Sequence, residues 1–255
     1  MEVTIDLRKS VPDNAKERYE RAKKYKGKLG GMQKAIADTK RKLESVADEV
    51  HEQPKMRKKA ERKWYEKFRW FTSSDGFLVI GGKDATSNEI LIKKHLESRD
   101  AVFHASIQGA PFFVVKNPEG KELPQATVDQ AATAAAAYSK AWGSGLGAVD
   151  VYSVRPEQVS KSPPAGEYLP KGAFMVYGEK TWHKGVRLEA AVGFAGGQVI
   201  GGPKDAVAAQ TKEYVVVGVG DVPQGALAKK IKSRLKDAEL DDIQRMIPPG
   251  GGRLV

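Results

Sequence analysis

The sequence predicts an α+β protein, a mixed-sheet globular domain preceded by a long helical coiled-coil arm. Apolar residues recur at spacings of three and four from Ala15 to Val50, the signature of a helical seam. From about residue 75, short apolar runs alternate irregularly with helical patterns, which argues for α+β over a doubly wound fold. Charge divides at the same place. Residues 1–70 carry 21 Lys+Arg against 12 Asp+Glu, and the rest of the chain 22 against 20, so most of the net +11 lies in the first quarter. A basic arm on a nearly balanced body suits polyanionic partners, although a solvated helix that needs charge for solubility carries the same signal.

VTIDLRKS reads as a short strand and turn, and Ser10 or Asp13 then caps a helix entered through Pro12. The seam runs through Ala15, Tyr19, Ala22, Tyr25, Leu29, Met32, Ile36, Leu43, Val46 and Val50, with Thr39 in the single gap. Gly27, Gly30 and Gly31 weaken this helix or mark a bend in it, and Pro54 stops it, which bounds an arm at 1–54 and a domain at 55–255. KMRKKAERKWYEKFRWF is expected to form a second helix. Met56, Ala60, Trp64, Phe68 and Phe71 make its dry stripe, while Lys55, Arg57, Lys58, Lys59, Arg62, Lys63 and Arg69 supply charge. The helical spacing assigns those aromatics to docking rather than to base stacking.

Beyond residue 75, strands are expected at 76–82, 101–105, 111–117, 149–154, 172–178, 187–194, 198–202 and 213–220. Helices are expected at 84–96 with Asp84 as cap, 127–142, 203–211 and 225–237, with a helical turn at 241–247. The absence of cysteine excludes disulfides and thiolate metal sites. No apolar run approaches the ~18 residues of a membrane span, and MEVTIDLRKS lacks the apolar middle of a secretory signal, so a cytoplasmic protein without membrane partners is expected.

Three segments invite a chemical reading. Gly81-Gly82-Lys83-Asp84 lies between a strand and a helix, where free backbone N–H groups attract anions, and Lys83 adds charge; an ordinary turn has the same composition. No GxxxxGK[ST] loop occurs, and GSGLG at 143–147 stands in the wrong order for a dinucleotide loop. His104 ends a strand, and with His95 and Asp100 it lacks metal-ligand spacing. Ser160-Lys161-Ser162 precedes Pro-Pro in a loop that offers a cation and two hydroxyls, or is simply packed by Tyr168 and Leu169. Ser160 lacks a GxSxG elbow, and no cofactor is expected.

KWYEKFRWF, SSDGFLVIGGKDATSNEILIKKHL, DAVFHASIQGAPFFVVKN and VYSVRPEQVSKSPPAGEYLPKGAFMVYG, in this order, resemble the NFACT-R domain. This is the RNA-binding portion of ribosome-quality-control proteins related to nuclear export mediator factor. The preceding coiled coil resembles the helical entry to that domain, and the ending PGGGRLV resembles the archaeal branch. The resemblance implies ribosomal RNA of the obstructed large subunit and/or tRNA as partners. It also implies possible docking to the remaining NFACT modules or to a second coiled-coil chain. No segment resembles the N-terminal NFACT or helix-hairpin-helix modules, so peptide tailing is not expected of this chain alone. On this reading Lys55, Arg57, Lys58, Lys59, Arg62, Lys63, Arg69, Gly82, Lys83, His104, Ser160 and Lys161 contact RNA and none is catalytic. Two alternatives stand beside it: an RNA-processing enzyme using His104, Glu89 and Lys161, and a mainly coiled-coil interaction module.

Overall fold

The computed structural model describes residues 4–47, 63–163 and 168–255. The chain divides into two units, Met1–Glu61 and Arg62–Val255.

In the first unit, helix α1 (Val11–Ala47) runs uninterrupted through Gly27, Gly30 and Gly31, a length of about 55 Å. Ser10 is its cap, with Oγ accepting from the Asp13 N–H at 3.2 Å. The expected strand before it is a turn. Asn14 takes the place of a strand partner there: its Oδ1 accepts from the Asp6 N–H at 2.9 Å and its amide donates to the Asp6 and Lys9 carbonyls. Thr39, at the seam's gap, donates back to the Ala35 carbonyl at 2.8 Å. Tyr19, Tyr25, Leu29, Met32 and Ile36 are all exposed along the helix.

The second unit is α+β as expected, but its sheets are antiparallel throughout the described residues rather than mixed. Residues 48–62, which hold the first eight residues of the expected basic helix, lie outside the described residues. After them comes one 3₁₀ turn, Trp64–Lys67, and then strand β1 (Arg69–Thr72), so Phe68, Arg69 and Phe71 do not share a helix. The helical spacing of those aromatics is overridden by pairing: Trp70 lies opposite Ile80 and Phe71 opposite Val79 of β2 (Leu78–Gly81).

Helix α2 (Ala85–His95), β3 (Ala101–Ala105), β4 (Phe112–Val115), α3 (Gln125–Ala137), α4 (Lys140–Gly143), β5 (Ala148–Val154) and β8 (Thr181–Arg187) follow around a six-stranded sheet of order β1-β2-β4-β3-β5-β8. Between β5 and β8, β6 (Val159–Ser160) and β7 (Met175–Val176) pair as a small ribbon, all that forms of the strand expected at 172–178. The expected strand 187–194 begins two residues later, after β8, which was not expected. The chain leaves the first sheet at buried Leu188 and enters the second as β9 (Glu189–Ala195), joined by β10 (Gln198–Gly202), β11 (Tyr214–Val222) and β12 (Gly252–Leu254) in the order β10-β9-β11-β12. Helices α5 (Lys204–Ala208), α6 (Gln224–Arg234) and α7 (Leu240–Met246) complete the unit.

Strand periodicity sorts the core into layers. Val79, Phe103, Phe113 and Val151 face a cluster with the alanines of α3 that also takes Ala190, Val192 and Val217 of the second sheet and Leu227 and Ile231 of α6. Alanine is what lets α3 sit buried between sheets, because a larger side chain would hold them apart. The next residues along each strand, Ile80, Val102, Phe112 and Tyr152, face the opposite way, toward Leu91 and Ile92 of α2 and Phe174 beside the ribbon. That second face carries the features described next.

Candidate nucleic-acid interface

Of the expected RNA contacts, Lys55, Arg57, Lys58, Lys59 and Arg62 lie outside the described residues. Lys63 is exposed, with its amine 5.9 Å from the Tyr65 ring centroid. Arg69 turns inward: its guanidinium lies 4.5 Å from the Tyr138 ring centroid and donates to the Arg245 carbonyl at 3.4 Å, tying β1 to α7. Burial pushes the Tyr138 phenol up to about 12, and the same phenol donates to the Met246 carbonyl at 2.6 Å.

The Gly81-Gly82 turn is shaped by packing. A Cβ on Gly81 would lie 2.4 Å from the Phe113 ring, and one on Gly82 1.8 Å from Asn88 Oδ1, which itself accepts from the Phe112 N–H at 3.2 Å. The following helix start is already closed. Asp84 accepts from the Ser87 N–H at 2.7 Å, while Ser87 Oγ accepts from the Asp84 N–H at 2.9 Å and the Lys83 N–H at 2.8 Å. At the expected anion site the backbone N–H of Gly82 is thus taken by the Phe112 carbonyl, those of Lys83 and Asp84 by the Ser87 hydroxyl and that of Ser87 by the Asp84 carboxylate, although the Lys83 side chain is exposed.

Lys161 is likewise engaged. Its amine donates to the Pro170 and Ala173 carbonyls at 3.0 Å each, lies 3.5 Å from Glu89 Oε2, and sits 5.0 Å from the Phe174 ring centroid. Glu89 also accepts from Lys93 at 2.7 Å and from the Gly172 N–H at 2.9 Å. The Lys93 hydrogen bond, then that of Gly172, holds its carboxyl down to about 2. Ser160 is half-buried and accepts from the Ser162 N–H at 3.1 Å. Tyr168 is 88% exposed, so it does not pack this loop.

His104 joins neither Glu89 nor Lys161 by a hydrogen bond; the ring contacts from it toward Lys161 pass through Phe112 and then Phe174. Its Nε2–H donates to the Ala110 carbonyl at 3.1 Å, and Nδ1 is buried without a partner. Burial, reinforced by the charge of Lys180, pushes the imidazole down to about 4, so it is neutral near pH 7 and carries no charge to a phosphate.

What His104 does join is a row of rings that charge and motif reading missed. It stands opposite Phe112 on one side and Tyr152 on the other, and Tyr152 stands opposite Trp182. Ring centroids are 4.4 Å, 5.5 Å and 5.5 Å apart along this row across four neighbouring strands. Phe112 and Tyr152 are buried, and Trp182, on edge strand β8, is 44% exposed. Cations flank the open end. Lys180 Nζ lies 4.5 Å from the Tyr152 centroid, and Lys184 Nζ 4.4 Å from that of Trp182. The alternation in KTWHKGVR, reading lysine, aromatic, lysine at steps of two, is the sequence signal that could have found it.

Residues 67–178 match the model of the NFACT protein RNA binding domain. An archaeal Rqc2 homologue, aRqcH of Methanocaldococcus jannaschii, is 43% identical over 209 residues, covering 80% of this chain and 31% of the relative. The NEMF subunit of the ribosome quality control complex is 38% identical in Homo sapiens over 173 residues, with 66% and 16% covered, and its Drosophila melanogaster homologue 39% over 184, with 71% and 18%. The chain thus spans about a third or less of these relatives. Among solved structures, the C-terminal part of the fibronectin/fibrinogen-binding protein from Streptococcus suis superposes with a TM-score of 0.41 at 17% identity over 80% of each chain, too loosely to transfer anything. With the RNA-binding domain match lying inside the antiparallel unit and ribosome-quality-control relatives aligned over 66–80% of the chain, this chain belongs to the NFACT family and carries its NFACT-R domain.

Proposed function

We propose that this chain is the RNA-binding part of a cytoplasmic ribosome-quality-control factor. On this reading it grips ribosomal RNA of the obstructed large subunit or tRNA through the sugar–phosphate backbone and has no catalysis of its own. The observation that carries the reading is an RNA-binding family match over 67–178 whose sheet continues, just past the matched residues, into an edge strand with an exposed indole between two lysines. The undescribed basic stretch at 55–62 would add long-range attraction. An enzymatic role has little support. His104 is occupied by the Ala110 carbonyl and Glu89 by Lys93 and Gly172, with carboxyl and imidazole both titrating far from neutrality. Among the described residues no cluster suited to a metal ion occurs, and no helix is long and apolar enough to cross a membrane.

Binding to protein-free large-subunit RNA and to tRNA, followed by fluorescence anisotropy, should weaken steeply with salt. The log–log slope should steepen by roughly −0.7 to −0.9 per neutralised phosphate. A flat titration would remove the reading. Crosslinking to purified large subunits, with sequencing of the attached RNA, separates the two RNA sources.

For α1 we infer a docking arm, because Tyr19, Leu29, Met32 and Ile36 keep a helical seam in water. The occupant we assign is a second helix, from another copy or from another NFACT module. Ile36→Asp should abolish association measured by light scattering with either; association that survives it defeats the assignment.

A further inference from the structure

We propose that Trp182 is a stacking platform for one unpaired RNA base, with Lys180 and Lys184 taking the phosphates on either side of it. The inference rests on the RNA-binding reading and adds to it the chemical class that one site accepts.

In the second unit, four aromatics are candidates for such a role by exposure alone, and their surroundings separate them. Trp64 already stacks on His95, with centroids 4.3 Å apart and planes at 19°. The Tyr177 hydroxyl donates to the Ser162 carbonyl at 2.9 Å, and Tyr168 follows directly on undescribed residues. Trp182 meets Tyr152 edge-on at 68°, and Tyr152 is buried against the next rung, so the indole is backed by a packed sheet while nearly half of it reaches solvent. Aromatics presented from strands with a fixed ring plane suit base stacking, because little side-chain freedom is left to lose on binding.

The cations are placed by the same local structure. Register shifts between Val149 and Val151, where β5 faces β8. Asp150 holds that irregularity by accepting from the Gly185 N–H at 2.8 Å and from Lys184 Nζ at 2.9 Å, with Gly185 at φ +60°. Irregularities of this kind re-aim side chains, and this one sets Lys184 beside the indole. Among the described residues no carboxylate forms an ion pair with Lys180; its amine rests on the Tyr152 ring. An exposed ammonium–ring contact is weaker than stacking of a base on indole, and the exposed Lys184–Asp150 ion pair adds little to it, so an arriving base displaces Lys184 from the ring. The lysine stem is flexible enough to follow the adjoining phosphate. A base inside a duplex has both faces covered by its neighbours, and one at a blunt end carries a backbone phosphate on one side only, so an unpaired base within a strand is what fits this site.

The test uses the full chain and three probes: a short oligoadenylate, an abasic oligomer with the same number of phosphates, and a blunt RNA duplex. Trp182→Ala should weaken oligoadenylate binding about 5- to 150-fold, Trp182→Phe should restore most of it, and neither should change duplex affinity. The abasic oligomer should bind wild type about as weakly as oligoadenylate binds Trp182→Ala. Lys180→Gln with Lys184→Gln should weaken both oligomers and flatten their salt dependence. Melting curves matching wild type establish that the variants fold. If Trp182→Ala binds oligoadenylate within twofold of wild type, the stacking site is wrong while the RNA-binding reading stands. That same result is expected if the patch seats a peptide instead. If wild type binds none of these probes, nor tRNA, at low salt, both readings fall together.

Discussion

Trp142→Ala should lower the unfolding free energy of the globular unit by about 3–5 kcal/mol, the cost of emptying a fully packed aromatic site. Trp142 is 1% exposed in the cluster shared by α3, the two sheets and α6, so truncation leaves a cavity that close-packed neighbours fill only in part. Its indole N–H also donates to the Gly251 carbonyl at 2.8 Å, and a Cβ on Gly250 would stand 3.3 Å from the ring. The tail PPGGG is thus held against α4 where it becomes β12, which pairs with β11. Loss of the ring should therefore expose the β12 amides to exchange as well as shift the urea midpoint. Trp142→Phe retains most of the volume and drops the hydrogen bond, and should cost distinctly less. A Trp142→Ala midpoint corresponding to under ~1.5 kcal/mol would show that the site collapses freely, contrary to the packing described.

How much of this was legible follows from where each signal resides. AVFHA and VDVYSV declared themselves as strands because a sheet buried on both faces leaves nearly continuous apolar runs. Asp84 declared itself as a cap because capping is local, settled within four residues. Strand β1 was hidden because Trp64, Phe68 and Phe71 keep helical spacing, whereas Phe68 and Phe71 serve clusters on opposite faces of one sheet. Strand β8 was hidden because an edge strand with most residues exposed needs no apolar alternation. At the site, charge identified Arg69 and Lys161 but could not say that one is folded toward α7 and the other pinned to backbone carbonyls. The row of rings is a relation of register among β4, β3, β5 and β8, which no single segment of sequence contains.

The same row makes the unit acid-sensitive through His104. Its folded-state value of about 4 lies below the ordinary 6.5, so between those values the unfolded chain binds the extra proton and the folded one does not. Stability is then full above pH 6.5 and is lost as pH falls toward 4, by up to about 3 kcal/mol once both values are passed. The cause is geometric. The imidazole lies tilted between the Phe112 and Tyr152 rings, its Nδ1 is buried without an acceptor, and Lys180 on the outer side repels a second positive charge. Glu89 adds nothing in the upper part of this window, because a carboxyl held near 2 gives stability that is lost only below its ordinary 4.5. His95 and His183 are shifted down as well, chiefly by burial, and contribute with the same sign. The diagnostic is therefore a difference between proteins. Urea unfolding at pH 7 and pH 5 should show wild type losing about 2 kcal/mol more than His104→Phe, which keeps a ring in the row and removes the titrating group. Equal losses in the two proteins would mean that His104 takes up its proton without penalty, and that the row is more open to water than its inner rungs imply.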